Sequence, residues 1–449
     1  MKSNLDNPYL LNQAPISRLF LTYALPSVVT MVFFGLQNLV DGVVVGNYLG
    51  SDALGGINII LPLFSLIMVL ALVIGIGSQT LVSRGLGEQN LPRAQDAMTT
   101  GFWALVVVGL VMTLVSLVFA ATMVRLMGAD ERLFPYSLAY LQGLLLFILP
   151  LMLCFYSDVM LKALGHPKFS MVIMSSAVVV NIVLSLFFVV VLDWGTAGAS
   201  IATGIAFSLA LLVSSRITFH SKQRLSMFKG RFRWPLLRHA AYNGSSEGMS
   251  EMAAAVSILI INLTVVQLLG ADGVAAFTAI NYINFTCVLL FLGISDGLIP
   301  VLGYHYGAKN IQRVKQLFRF AAMVNMSIGL LIFVLLQLFG GYAVGLFFAA
   351  KEGLAFQLAV DGLSVFAFVF LVNGLNLLIT AYFTALGEAK SSMVIALLRG
   401  FIFLLAGVML LPRFFDITGV WAAIPLAEFL TLGVAVWLLF RTNRKRLTP

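Results

Sequence analysis

Apolar residues run along this chain in stretches of about twenty or more. Polar residues gather between them, at Gly, Pro, Asn and charged positions. At ~1.5 Å rise per residue, a stretch of that length crosses the roughly 30 Å hydrocarbon core of a bilayer as one α-helix. The pattern predicts twelve helices, near 17–47, 53–84, 93–122, 133–158, 168–192, 196–217, 245–268, 273–306, 312–341, 354–384, 390–411 and 417–440. The expected fold class is an all-α polytopic membrane protein.

Composition narrows the alternatives. Of 449 residues, 60% are hydrophobic and 10% charged, against about 25% charged in soluble domains. A soluble globule of this size needs more polar surface than that, and disordered, collagenous and disulfide-stapled chains fail on the same ground. Residues 1–15 are polar and lack an apolar segment with a small-residue cleavage site, so no removable signal peptide is expected. Cys154 and Cys287 lie inside apolar runs and read as buried free thiols. His166, His220, His239 and His305 lie in or near loops without ligand spacing, so neither a metal centre nor a cofactor is expected.

Loop charges orient the chain. The loops placed outside hold four bases, Arg125, Arg132, Lys351 and Arg413, and seven acids, Asp52, Asp130, Glu131, Asp193, Asp272, Glu352 and Asp416. Arg399 falls inside a helix, and the remaining 22 of the 27 bases lie on the other side. The middle loop alone carries Arg216, Lys222, Arg224, Lys229, Arg231, Arg233 and Arg238 with no acid. Both termini are therefore expected in the cytoplasm. The net charge of +9 reads as topology and attraction to anionic lipid; bases spread over many short loops do not suit nucleic acid.

The two halves repeat. Leu49 to Gly56 (LGSDALGG) aligns with Leu269 to Ala276 (LGADGVAA), and Gly87 to Ala94 (GEQNLPRA) with Gly307 to Val314 (GAKNIQRV), both at an offset of 220. Between 49 and 93, 11 of 45 positions are identical without a gap, among them loop Gly, Asp, Asn and Arg, which shared apolar composition does not explain. Ala163-Leu164-Gly165 answers Ala385-Leu386-Gly387 at an offset of 222. Three regions follow: an amino-terminal six-helix lobe (1–217), a basic cytoplasmic connector (218–244) and a carboxy-terminal six-helix lobe (245–449). Two parallel-repeat lobes around a central cavity form the architecture of alternating-access transporters.

A carboxylate at membrane depth costs several kcal/mol and marks a pathway or a pairing. Asp41 lies in the outer half of helix 1, with Gln37 and Asn38 one turn before it and Pro26 fifteen residues before, where a lost backbone hydrogen bond can kink the helix. This reads as a proton or cation site. Glu247 and Glu251 form an i, i+4 pair. It suits ion binding or gating, or else helix capping, because Asn243-Gly244-Ser245-Ser246 resembles a helix start. Asp296, Glu428, Asp361 and Asp158 are equally open to function or structural pairing, with Arg399 a partner for one of them. Asn181 and Thr203 supply neutral oxygens. The chain lacks Walker A, HExxH and GxSxG motifs and a clustered His, Cys or Ser/Lys constellation, so no enzyme is expected.

With Asp41 and Pro26, Gly50-Ser51-Asp52-Ala53-Leu54, Gly87-Glu88-Gln89-Asn90, Asn181-Ile182-Val183-Leu184, Gly198-Ala199-Ser200-Ile201-Ala202-Thr203 and Asn243-Gly244-Ser245-Ser246-Glu247, the chain resembles the multidrug and toxic compound extrusion (MATE) transporters nearly end to end. The resemblance implies a V-shaped pair of lobes. It implies an antiporter that exports bulky amphipathic, often cationic drugs in exchange for inward H⁺ or Na⁺ by alternating access. It also implies an amino-lobe cation site carried here by Asp41, Asn181 and Thr203. Where the family commonly has a second Asp, one turn after the helix 5 Asn, this chain has Ser185, which shifts the expected coupling ion from Na⁺ toward H⁺. Gln37, Asn38, Pro26, Ser185, Glu247, Glu251, Asp296 and Glu428 are the substrate or gating candidates. The expected partners are amphipathic small molecules and membrane lipids. The expected setting is a monomer in a bacterial inner membrane. The rival on the same fold is a flippase or exporter of lipid-linked or metabolite substrates.

Overall fold

The computed structural model describes residues 13–219, 225–348 and 353–446, and every regular element among them is helical. His220, Lys222, Arg224, Lys351 and Glu352 lie outside the described residues. The helices are α1 (Ile16–Tyr48), α2 (Gly50–Gly87), α3 (Leu91–Leu126), α4 (Phe134–Leu145 and Ile148–Ala163), α5 (Pro167–Leu186) and α6 (Gly195–Thr218). One continuous stretch, Trp234–Gly307, follows. At ~1.5 Å per residue its 74 residues span about 110 Å, too long for one crossing. Gly270, at φ 60° and ψ −146°, divides it into α7 (234–269) and α8 (271–307). Then come α9 (Ile311–Val344), α10 (Leu354–Phe366 and Phe370–Ala385), α11 (Ala389–Leu397 and Phe403–Leu410) and α12 (Pro412–Arg446).

The turns explain the helix ends, and they recur at the repeat offset. Gly50 and Gly270 both take positive φ, which glycine adopts without a Cβ clash. Gln89 and Lys309 both have positive φ. The next residues, Asn90 and Asn310, each accept the backbone N–H three residues on, from Arg93 (3.1 Å) and Arg313 (3.2 Å), and so cap α3 and α9. The crossings are not all straight. α4 bends by 60° between Leu145 and Ile148; Pro150 lacks the N–H that would bond the Leu146 carbonyl and its ring crowds that oxygen. α10 carries a tight 3₁₀ turn at Ala367–Val369. α5 and α11 each contain a π turn, Phe187–Val191 and Leu398–Ile402.

The chain divides into two compact units, Met1–Gly244 with Gly303–Lys309, and Ser245–Leu302 with Asn310–Pro449. The first is packed around Ile60, Leu63, Ile67, Met98, Leu141 and Tyr156. The second is packed around Ile261, Phe277, Phe291, Phe370, Leu404 and Trp421. In lipid, burying such side chains gains little by transfer alone, so close approach and polar pairing must hold the helices together. The exposed aliphatic face of α3, with Leu110, Leu114, Leu117 and Val118, is the kind of surface acyl chains cover.

The start of α7 differs from the sequence expectation. The helix begins at Trp234, not at 245, with Pro235 in its first turn. The basic connector therefore shortens to the segment between Thr218 and Trp234. Gly244 is no helix start: a Cβ there would lie 1.8 Å from the Val73 carbonyl oxygen, so glycine lets α7 approach α2. The described connector is strapped to α3. Asp96 accepts from the Arg231 N–H (2.9 Å) and pairs with the Arg233 guanidinium. Thr99 and Thr100 accept from the N–H groups of Gly230 and Arg233 (both 3.0 Å). Phe228 packs edge-on against Phe102 and Phe219.

Candidate functional site

In the first unit, α1 continues through Pro26, and Thr30 Oγ1 donates to the Pro26 carbonyl (3.0 Å). Seven residues before the Tyr48 end, about 10 Å along the axis, the partly buried Asp41 carboxylate accepts a hydrogen bond from the Gln37 amide and interacts electrostatically with Tyr140 on α4. Its Oδ1 is buried without a hydrogen-bond partner. Asn38 does not join this group. It lies about 100° around the helix from Gln37, and it is exposed where Gln37 is buried. On the neighbouring helices, Asn181 Nδ2 (α5) donates to Thr203 Oγ1 (α6, 3.0 Å), which donates to the Ala199 carbonyl (3.1 Å). Asn181 and Ser185 are fully buried, and Asn181 Oδ1 and Ser185 Oγ have no partner.

One apolar cluster sets these groups at a common depth. Val44 and Val45 of α1, Val189 of the α5 π turn and Ala199 of α6 pack together, with Tyr140 against them. Asp41, Ser185 and Thr203 each lie about one turn from a member of that cluster, on its side away from the helix ends at Tyr48, Val191 and Gly195. The layer holds one carboxylate and neutral oxygens. That hard, all-oxygen chemistry suits a proton or an alkali cation and not a soft metal.

In the second unit the sequence candidates meet residues it had not singled out. Glu428 of α12 is buried. Its Oε1 accepts from Asn373 (2.9 Å) and pairs with Arg399 Nε (3.3 Å), and its Oε2 accepts from Asn376 (2.6 Å). Arg399 thus has its partner, and it also acts electrostatically on Glu247 and Glu251. Glu247 interacts with Asp296 of α8 as well. The capping reading of Glu247 and Glu251 falls: they lie 13 and 17 residues inside α7, beyond the reach of a first-turn effect. Asp361 is exposed. Asp158 is buried in the first unit, against Lys162 (2.7 Å) and the Ser170 hydroxyl. Asn373 and Asn376, an i, i+3 polar pair in an apolar run, were the signal available for the missed partners of Glu428.

Repeat-equivalent positions do not carry equivalent chemistry. At the offset of 220, Asp41 answers Ile261 and Glu247 answers Ser27; at 222, Glu428 answers Ala206 and Arg399 answers Ala177.

A family model, MatE, matches residues 26–187 and again 248–409, two copies whose starts and ends both lie 222 residues apart. The multidrug export protein MepA of Staphylococcus aureus (strain NCTC 8325 / PS 47) is 24% identical over 98% of this chain and 97% of its own. An outward-facing multidrug resistance MATE family transporter of the MOP superfamily superposes over 100% of both chains with a TM-score of 0.92 at 20% identity. A MOP superfamily transporter from Pyrococcus furiosus, whose reversed binding-pocket polarity suggests a different function, superposes over 98% of both chains with a TM-score of 0.90 at 20% identity.

Proposed function

We propose, from the premise that this chain belongs to the MatE family, that it is a secondary antiporter. It exports amphipathic, cationic compounds from the cytoplasm in exchange for inward protons, by alternating access. The observation that carries this reading is the Asp41 layer. There a buried carboxylate oxygen on α1 and an amide oxygen and a hydroxyl on α5 lack partners, on two helices that pack against each other. Such a layer is costly unless something positive visits it. With a single carboxylate present and Ser185 in place of a second one, the proton is the better-suited visitor and Na⁺ the alternative. Protonation removes the buried charge, and α1, already missing one backbone hydrogen bond at Pro26, is the element whose conformation answers it. Both termini then face the cytoplasm and the chain acts as a monomer in the inner membrane.

The flippase reading has less support, because a pyrophosphate-binding cavity needs available cations. The two bases described above within spans, the buried Lys162 and the half-buried Arg399, are each engaged by a carboxylate. The test is ethidium transport in proteoliposomes under separate H⁺ and Na⁺ gradients. A pH gradient alone should drive exchange, and Asp41→Asn should abolish that drive in protein that folds and inserts. Stimulation by Na⁺ alone would overturn the proton assignment. Undiminished proton-driven exchange in the variant would overturn the role of Asp41.

A further inference from the structure

The end of the connector has a composition of its own. From Phe228 to Trp234 it reads Phe-Lys-Gly-Arg-Phe-Arg-Trp, and Arg238 follows one turn into α7. Four bases and no acid lie between 228 and 238. Phe228, Phe232 and Trp234 are 51%, 49% and 62% exposed, and the four bases are exposed beside them. Large rings left in water are a cost, whereas alternating rings and bases suit the boundary between acyl chains and headgroups.

α3 fixes the depth at which this segment lies. The charged residues at its start end with Asp96, and from Phe102 to Val124 the helix carries no charge. At ~1.5 Å per residue that stretch is about 34 Å long, close to the thickness of the hydrocarbon core. Its exposed face runs through Trp103, Val107, Leu110, Leu114 and Val118, at the spacing of one helix side. Trp103 therefore marks the level at which hydrocarbon gives way to headgroups. The connector is laid against that level. Gln95 accepts the Ser226 N–H (2.9 Å) and donates to the Ser226 carbonyl. A Cβ on Gly230 would lie 2.6 Å from the Gln95 carbonyl oxygen, so glycine lets the backbone rest on α3. The Arg233 N–H ends on Thr100, three residues before Trp103, and the Phe228 ring lies 6.4 Å from the Trp103 ring. The backbone of the strap is thus spent on α3, while its rings and bases are left exposed. The repeat shows that the fold does not need these anchors: at the offset of 220, Gln95, Asp96, Thr99 and Thr100 answer Lys315, Gln316, Arg319 and Phe320.

We propose that the strap is a binding site for the headgroup of an anionic phospholipid. Lys229, Arg231 and Arg238 face the phosphate, and Phe228, Phe232 and Trp234 pack on the glycerol and upper acyl region. Arg233 is paired with Asp96, so four bases and one acid leave a net charge of +3 at the headgroup level. Bases placed there attract anionic lipid by up to ~1 kcal/mol each, a factor of about five. Continuity with the acyl-facing side of α3 selects a lipid over a soluble polyanion. The inference takes only the name of the leaflet, cytoplasmic, from the orientation proposed above, and it does not rest on the transport reading.

The test reads lipid at the strap itself. Full-length protein is reconstituted in phosphatidylcholine bilayers containing brominated phosphatidylglycerol or brominated phosphatidylcholine, whose bromines quench nearby tryptophan. The Trp234 signal is the difference between each protein and its Trp234→Phe counterpart. The binding constant for phosphatidylglycerol relative to phosphatidylcholine should be at least about fivefold, and it should weaken as salt rises. Arg231→Gln/Arg238→Gln, which leaves the backbone anchors and the Asp96–Arg233 pair in place, should bring the ratio to within about twofold of one. Lys315→Gln/Arg319→Gln removes two exposed bases from the equivalent turn of α9 and should leave the ratio at its wild-type value. A wild-type ratio near one would overturn the assignment and leave the patch to a soluble partner. An equal fall in both double variants would overturn it too, because the charge of the whole protein would then draw the lipid.

Discussion

The ion pair Asp158–Lys162 allows a sharp test, because the repeat contains its own neutral replacement. Lys162 Nζ lies 2.7 Å from Asp158 Oδ2 with both side chains under 10% exposed, and the Ser170 hydroxyl holds the other carboxylate oxygen. At the offset of 222 the same three positions are Thr380, Thr384 and Ser392. There Thr384 Oγ1 and Ser392 Oγ lie 3.1 Å apart, and Ser392 Oγ donates to the Thr380 carbonyl (3.3 Å). Lys162→Met removes one partner and leaves a buried carboxylate with one hydroxyl, which costs about 3–5 kcal/mol. At roughly 2–4 °C per kcal/mol for a unit of this size, the melting temperature should fall by about 6–20 °C. The double variant Asp158→Thr/Lys162→Thr installs the chemistry of the second repeat. It should cost less than about 1.5 kcal/mol, since a buried pair replaced as a whole leaves no stranded charge. Melting followed by a thiol-reactive dye or by tryptophan fluorescence in detergent gives both values. A double variant that melts as low as Lys162→Met would refute the reasoning, because the loss would then come from packing and not from the stranded charge.

Three further outcomes follow from the same structure. Asn90→Ala and Asn310→Ala each remove a side-chain cap and should each cost about 1 kcal/mol, with additive effects on melting because the sites lie in separate units. Gly244→Ala forces a Cβ to within 1.8 Å of the Val73 carbonyl oxygen; the backbone cannot yield that distance, so the variant should lose at least about 3 kcal/mol or fail to accumulate, as read by yield of monodisperse protein. Asp96→Ala frees the connector by removing charge-assisted bonds to Arg231 and Arg233, and trypsin should cut there at least about tenfold faster than in wild type.

The helix inventory was legible because one physical fact, the length of an apolar run against the thickness of a bilayer, decides it without reference to neighbours. What a neighbour decides was not legible. Asn243-Gly244-Ser245 carries the composition of a helix start, yet the helix passes through it, because the glycine is required by the Val73 backbone opposite and not by a turn. Asn38 and Gln37 are both within a turn of Asp41 in sequence. Only the packing of α1 decides which of two sides is interior, and it buries Gln37. Arg399 was recognised as a partner awaiting an acid, but the choice of Glu428 depends on the register of α11 against α12 and on a π turn. The bend at Pro150, by contrast, was readable from the residue itself.

The repeat separates what the fold needs from what the chemistry needs. Its two copies agree in the turns: Gly50 and Gly270, Gln89 and Lys309, and the caps Asn90 and Asn310 hold the same backbone conformations or bonds at one offset. They disagree at every charge that lies deep in a span, for Asp41 faces Ile261 across the repeat, Glu428 faces Ala206 and Arg399 faces Ala177. Apolar residues at the equivalent positions show that the frame closes without those charges. Each buried charge is therefore a cost the architecture does not impose, and in a membrane that cost is several kcal/mol.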